Sequence, residues 1–126
     1  MPAPPNILLI EDSQTQADQI SAQLRGHGFT VTVAYDEPEG LRAVDEHQPD
    51  IILLDINLPT MSGYQVCSRL KRDPNTADIP VIMLTASDSS DDILRGLNVG
   101  AIDYIAKDAF ATDNLITTLH ALGLLE

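Results

Sequence analysis

The chain predicts an α/β domain built on a parallel sheet, and three observations carry that expectation. Short runs of branched aliphatics recur with helix-forming stretches between them; one run, Ile51-Ile52-Leu53-Leu54, is apolar at every position; and the runs end in polar or charged residues. A strand that is apolar on both faces belongs to a parallel sheet covered by helices on each side, whereas a half-solvated strand alternates. Five such strands alternating with five helices, without repeats or an internal linker, imply right-handed crossovers and one doubly wound sheet. The 126 residues are enough for one domain, 1–126, in which Met1-Pro2-Ala3-Pro4-Pro5 forms a short Pro-rich tail.

Asn6 to Ile10 make the first strand, and Glu11-Asp12 follow it directly. Ser13 and Gln16 then stand at capping-box spacing, opening a helix that carries Ile20 and Leu24 on one face and stops at Gly26-His27-Gly28. Phe29 to Tyr35 alternates as the second strand, with Val31 and Val33 on one face. Asp36, Pro38 and Glu39 supply a cap, a first-turn proline and a first-turn acid to a second helix, which carries Leu41 and Val44 and ends before Pro49. The third strand delivers Asp55 at its end, and Pro59 and Gly63 take the chain out of the sheet. Gly63 to Lys71 reads as the third helix with Val66 and Leu70 inward; Pro80 to Leu84 is the fourth strand, ending at Thr85. Asp88 to Val99 is the fourth helix, stopped by Gly100, and its acidic start is a solvated one that the helix dipole favours. Asp103 to Ala106 is a short fifth strand ending at Lys107, and Thr112 caps a last helix with Leu115, Ile116, Leu119 and Leu122 on one face.

Composition removes several function classes. A formal net charge of −12 repels nucleic acid and anionic membranes and favours cationic ions or partners. The single cysteine, Cys67, has no disulfide partner and reads as a small buried hydrophobe, in keeping with a reducing cytosol. The N-terminus lacks the basic and apolar regions of a signal peptide, and no apolar run approaches about 18 residues, so a soluble cytoplasmic protein is expected. His27, His47 and His120 are scattered and acquire no chemistry.

In an open parallel sheet the binding crevice lies beyond the carboxyl ends of the strands, where the strand order reverses. Glu11, Asp12, Asp55, Thr85 and Lys107 each end or follow a predicted strand, so all five converge there. Singly, Asp12 could be a helix cap, Thr85 a satisfied strand end and Lys107 a neutraliser of local acid; together they are harder to explain that way. Three carboxylates need a cation, and an oxygen-only donor set with no nearby histidine or thiolate suits Mg²⁺, with Mn²⁺ as a substitute. Lys107 adds a mobile ammonium and Thr85 a hydroxyl donor. This is equipment for receiving a phosphoryl group, with Asp55 as nucleophile.

At this point the sequence closely resembles the receiver domain of two-component response regulators, over Asn6 to about Leu124. The resemblance rests on Glu11-Asp12, on Asp55-Ile56-Asn57-Leu58-Pro59-Thr60-Met61-Ser62-Gly63, on Thr85-Ala86, and on Tyr104-Ile105-Ala106-Lys107. It implies the flavodoxin-like strand order 2-1-3-4-5. It further implies that Asp55 is the phosphoacceptor, that Asp12 and Asp55 touch the metal directly, that Glu11 acts through water, and that Asn57 offers its backbone carbonyl. Thr85 and Tyr104 would be a coupled switch pair, Tyr104 starting near the exposed edge of its strand and turning inward, and Lys107 would contact the phosphoryl oxygens. The implied donor is a histidine kinase or histidine phosphotransfer protein of a bacterial-type phosphorelay. The implied output is a downstream protein or a homodimer formed through the fourth helix, fifth strand and fifth helix. Such a chain is a signalling domain and not an enzyme beyond its own phosphorylation and dephosphorylation. A stand-alone regulator is the simplest reading, and a receiver from a larger hybrid kinase would look the same. One position departs from the family pattern: Asp108 stands where proline usually follows the lysine, so the loop either stores strain or takes a trans path.

Three rivals are weaker. A phosphohydrolase with an aspartyl nucleophile resembles a pattern with a second Asp two residues on, where this chain has Asn57. A flavin carrier of the same sheet order would meet repulsion from Glu11-Asp12 at its phosphate loop. A receiver-like module that binds partners without phosphorylation has only Asp108 in its favour.

Overall fold

The computed structural model describes residues 5–59, 61–85, 94–95, 98–108 and 110–123. Five strands are present: β1 (Asn6–Ile10), β2 (Thr30–Ala34), β3 (Ile51–Asp55), β4 (Val81–Thr85) and β5 (Asp103–Ala106). They pair in parallel in the order β2-β1-β3-β4-β5, the order implied by the resemblance. Helices α1 (Gln14–Gly26), α2 (Glu37–His47) and α3 (Gly63–Arg72) alternate with them, and a last helix covers Ala111–Ala121.

Alternation along each strand splits the core in two. Ile7, Leu9, Leu53, Ile82, Leu84 and Ile105 pack against Ala17 and Leu24 of α1 and Leu115 and Leu119 of the last helix. Leu8, Ile10, Ile52, Leu54, Val81 and Met83 pack against Val44 of α2 and Val66, Cys67 and Leu70 of α3. The run of apolar residues in β3 is thereby explained, since all five of its residues are buried. Cys67 is fully buried, and desolvation pushes its thiol up to about 11, which makes it a core residue and not a nucleophile.

Several boundaries are set by caps. Asp36 caps α2 by accepting the Glu39 N–H at 2.9 Å, with Pro38 in the first turn, as expected. Thr112 does not cap the last helix. Phe110 holds that position without a side-chain bond, and the Thr112 hydroxyl donates to Gln23 Oε1 of α1 at 2.5 Å. A threonine inside the first turn has a neighbouring helix to bond, and that partner wins over the local backbone. Leu122, expected on the inner face of this helix, is exposed just beyond its end. The predicted fourth helix falls mostly outside the described residues; Leu94, Arg95 and Asn98 are helical, and Gly100 adopts a left-handed φ of +102°.

Candidate functional site

The strand order reverses between β1 and β3, and the carboxyl ends of these strands hold the acids. Glu11 follows β1, is held by its N–H donating to Ala34 O at 3.0 Å, and is fully buried. Asp55 is the last residue of β3 and only 3 % exposed, whereas Asp12 faces solvent. One carboxylate oxygen from each of the three lies within 4.8 Å of the others. Lys107 enters from the end of β5. Its backbone N–H donates to Thr85 O at 2.7 Å, and its ammonium pairs with Glu11 Oε1 and, at 3.2 Å, with Asp55 Oδ2.

Burial pushes the Glu11 carboxyl up to about 7; the adjacent Asp55 carboxyl acts in the same direction, and Lys107 opposes both. Three acids against one ammonium leave the pocket short of positive charge, and two carboxylates at about 4 Å repel by roughly 4 kcal/mol at an effective dielectric near 20. A hard divalent cation would supply what is missing. The donor set fits Mg²⁺: oxygens only, few of them from protein, with an exposed side for water. Asn57 contributes at this point through its backbone N–H, which donates to Asp55 Oδ1 at 3.1 Å.

The chain beyond Asp55 returns at Gly63, whose N–H donates to Ile56 O at 2.7 Å. A Cβ at Gly63 would sit 2.2 Å from the Asp55 carbonyl oxygen, so only glycine permits this approach. Motif reading placed Gly63 at a turn and missed that it seats the Asp55 backbone. It also missed Gln16, whose Oε1 accepts from Lys107 Nζ at 2.9 Å. The capping box expected at Ser13 is only half formed: Ser13 Oγ accepts from Gln16 N, but Gln16's side chain is committed to Lys107.

Thr85 is buried at the end of β4, and strand alternation puts it on the same face as Met83 and Tyr104. Tyr104 is not turned outward as expected. Its ring packs on the α2/α3 side of the core, and its hydroxyl is buried without a hydrogen-bond partner among the described residues. The apolar surface around that site is worth more to the ring than water is to its hydroxyl. Asp108 resolves the alternatives at its loop in favour of a trans path, since no peptide bond among the described residues is cis. Its carboxylate accepts the Phe110 N–H at 2.8 Å and its carbonyl accepts that of Ala111 at 3.2 Å, so the residue builds the turn into the last helix.

Among the described residues no helix is long and apolar enough to cross a membrane. A family model described as the response regulator receiver domain matches residues 7–120. The DNA-binding dual master transcriptional regulator RpaA of Synechocystis sp. is 41% identical over 118 residues, which are 94% of this chain and 48% of RpaA. This chain therefore spans about half the length of that relative. Among solved structures, chemotaxis protein CheY4 of Vibrio cholerae superposes with a TM-score of 0.85 at 27% identity, covering 94% of this chain and 98% of that one. The BeF3-activated N-terminal receiver domain of RstA from Klebsiella pneumoniae gives 0.84 at 30% identity, covering 96% and 99%.

Proposed function

The chain belongs to the response regulator receiver domain family, a family of signalling domains, and from that premise we propose that Asp55 accepts a phosphoryl group in a Mg²⁺-dependent transfer. The observation that supports this best is the pocket in which the Lys107 ammonium bridges Glu11 and Asp55 beside a third acid, Asp12. Asp12 and Asp55 would hold the ion directly, Glu11 through water, and Asn57 by its backbone carbonyl. When bound, the ion neutralises charge on the phosphoryl oxygens. The donor is a phosphohistidine on a histidine kinase or histidine phosphotransfer protein. An Asp55 oxygen forms the new P–O bond as the P–N bond breaks, and the electron pair leaves with the imidazole. Lys107 keeps an ammonium donor on the phosphoryl oxygens, and the Thr85 hydroxyl donates to another as that charge arrives.

The new bonds at Thr85 and Lys107 are the differential interaction that shifts the domain between states. Thr85 and Tyr104 share a face of the sheet, so movement of the hydroxyl is felt at the ring. The surface made by the predicted fourth helix, β5 and the last helix then changes and meets a downstream protein or a second copy in the cytoplasm. RstA's receiver is activated by BeF3, a mimic of the acyl phosphate, and the same reagent serves here. Intact-mass measurement with Mg²⁺ and acetyl phosphate should show one added phosphate on the parent and none on Asp55→Asn. Equal phosphate on both would overturn the assignment.

A further inference from the structure

The residues Ser13-Gln14-Thr15-Gln16 have the sequence of a capping box, yet Gln16 does not complete it. The Ser13 N–H that its side chain would normally accept turns instead to Glu11 Oε2 at 3.4 Å. Gln16 is thereby released and reaches Lys107, 91 residues away in sequence, at 2.9 Å. An ammonium has three donors. Lys107 donates to Glu11 Oε1 and Gln16 Oε1, and its ammonium also pairs with Asp55 Oδ2 at 3.2 Å. Two of these partners are buried carboxyl groups; the third is a neutral amide on the solvent side.

We propose that Gln16 is a positioning residue, which aims the Lys107 ammonium at the phosphoryl-accepting oxygens of Asp55 by holding one of its donors from the solvent side. This rests on the reading of Asp55 as phosphoacceptor. An apolar residue at 16 would leave that donor to water and the four-carbon stem free to swing, and a carboxylate would add a fourth acid to a pocket already rich in them. A neutral acceptor fixes direction at the least electrostatic cost. Gln16 also lines the groove between α1 and the last helix with Gln19, Gln23 and Ala111.

The test measures Asp55 phosphorylation by acetyl phosphate and Mg²⁺ in the parent, Gln16→Leu, Lys107→Ala and the double variant, together with ¹⁵N-edited NMR of the lysine ammonium groups. Leucine keeps the helix, so folding is preserved. Gln16→Leu should slow phosphorylation about three- to fivefold, the size of one exposed hydrogen bond, with the Mg²⁺ midpoint unchanged. The double variant should be no slower than Lys107→Ala alone. The Lys107 ammonium signal, protected in the parent, should broaden in Gln16→Leu. Parental rate with an unchanged ammonium signal would overturn the proposal, as would losses that multiply in the double variant. A parent that gains no phosphate would instead overturn the reading of Asp55, and the ammonium spectrum would still decide the role of Gln16.

Discussion

Two helices of this domain begin with the same spacing of serine and glutamine, and they use it differently. At α3, Ser62 accepts the Gln65 N–H at 3.3 Å and Gln65 Oε1 accepts the Ser62 N–H at 3.1 Å, a closed box. At α1, Ser13 accepts the Gln16 N–H at the same 3.3 Å, but the return bond is absent and Gln16 is spent on Lys107. Both starts flank Asp55. One is finished locally and fixes a loop; the other is left open and lends its side chain to the pocket. A residue pattern thus sets which bonds are available, and the charges nearby decide which are made.

The largest effect should come from the closed start. Gly63→Ala drives a methyl into the Asp55 carbonyl, and we expect a loss of about 3 kcal/mol or more in urea unfolding, with phosphorylation lost as the Asp55 backbone shifts. A variant that melts like the parent would show that the return at Gly63 is slack.

The open start should instead reveal itself in pH. The unfolded chain releases the Glu11 proton in the ordinary carboxyl range, while the folded chain holds it to about 7, so the folded state binds more protons between those values. Stability of the metal-free protein is therefore fullest below that window and falls as pH rises through it. Glu11→Gln should flatten this part of the curve and leave the fold about 1–2 kcal/mol more stable at pH 8, at the expense of Mg²⁺ affinity. Thermal melts from pH 4.5 to 8 check it, and a rise in stability across the window would refute the burial argument.

The smallest effects separate the two caps themselves. Ser62→Ala should cost about 1 kcal/mol because it opens a reciprocal pair, and Ser13→Ala about half as much, because only one bond is lost there. Paired denaturant titrations decide between this ranking and its reverse. Gln65→Leu should lower stability without slowing phosphorylation of the folded protein, the opposite of Gln16→Leu.

Strand ends were legible because they rest on local pattern. Branched aliphatics bounded by polar residues marked the five strands, and the sheet's parallel geometry then forced Glu11, Asp55, Thr85 and Lys107 to one edge. The buried run in β3 and the Asp36 cap were readable for the same reason. Thr112, Gln16, Gly63 and Tyr104 were not. Each takes its role from a partner that the fold alone supplies: Gln23 across the helix groove, Lys107 from the far end of the chain, the Asp55 carbonyl above a glycine, and the apolar surface that draws in a tyrosine ring. By itself, then, the sequence determined the element order, the sheet and the acids at its edge, since period and turn chemistry act between neighbours. Only the tertiary structure decided which polar group each side chain bonds, because a capping site and a distant ammonium compete for the same oxygen and the winner depends on their distance in space.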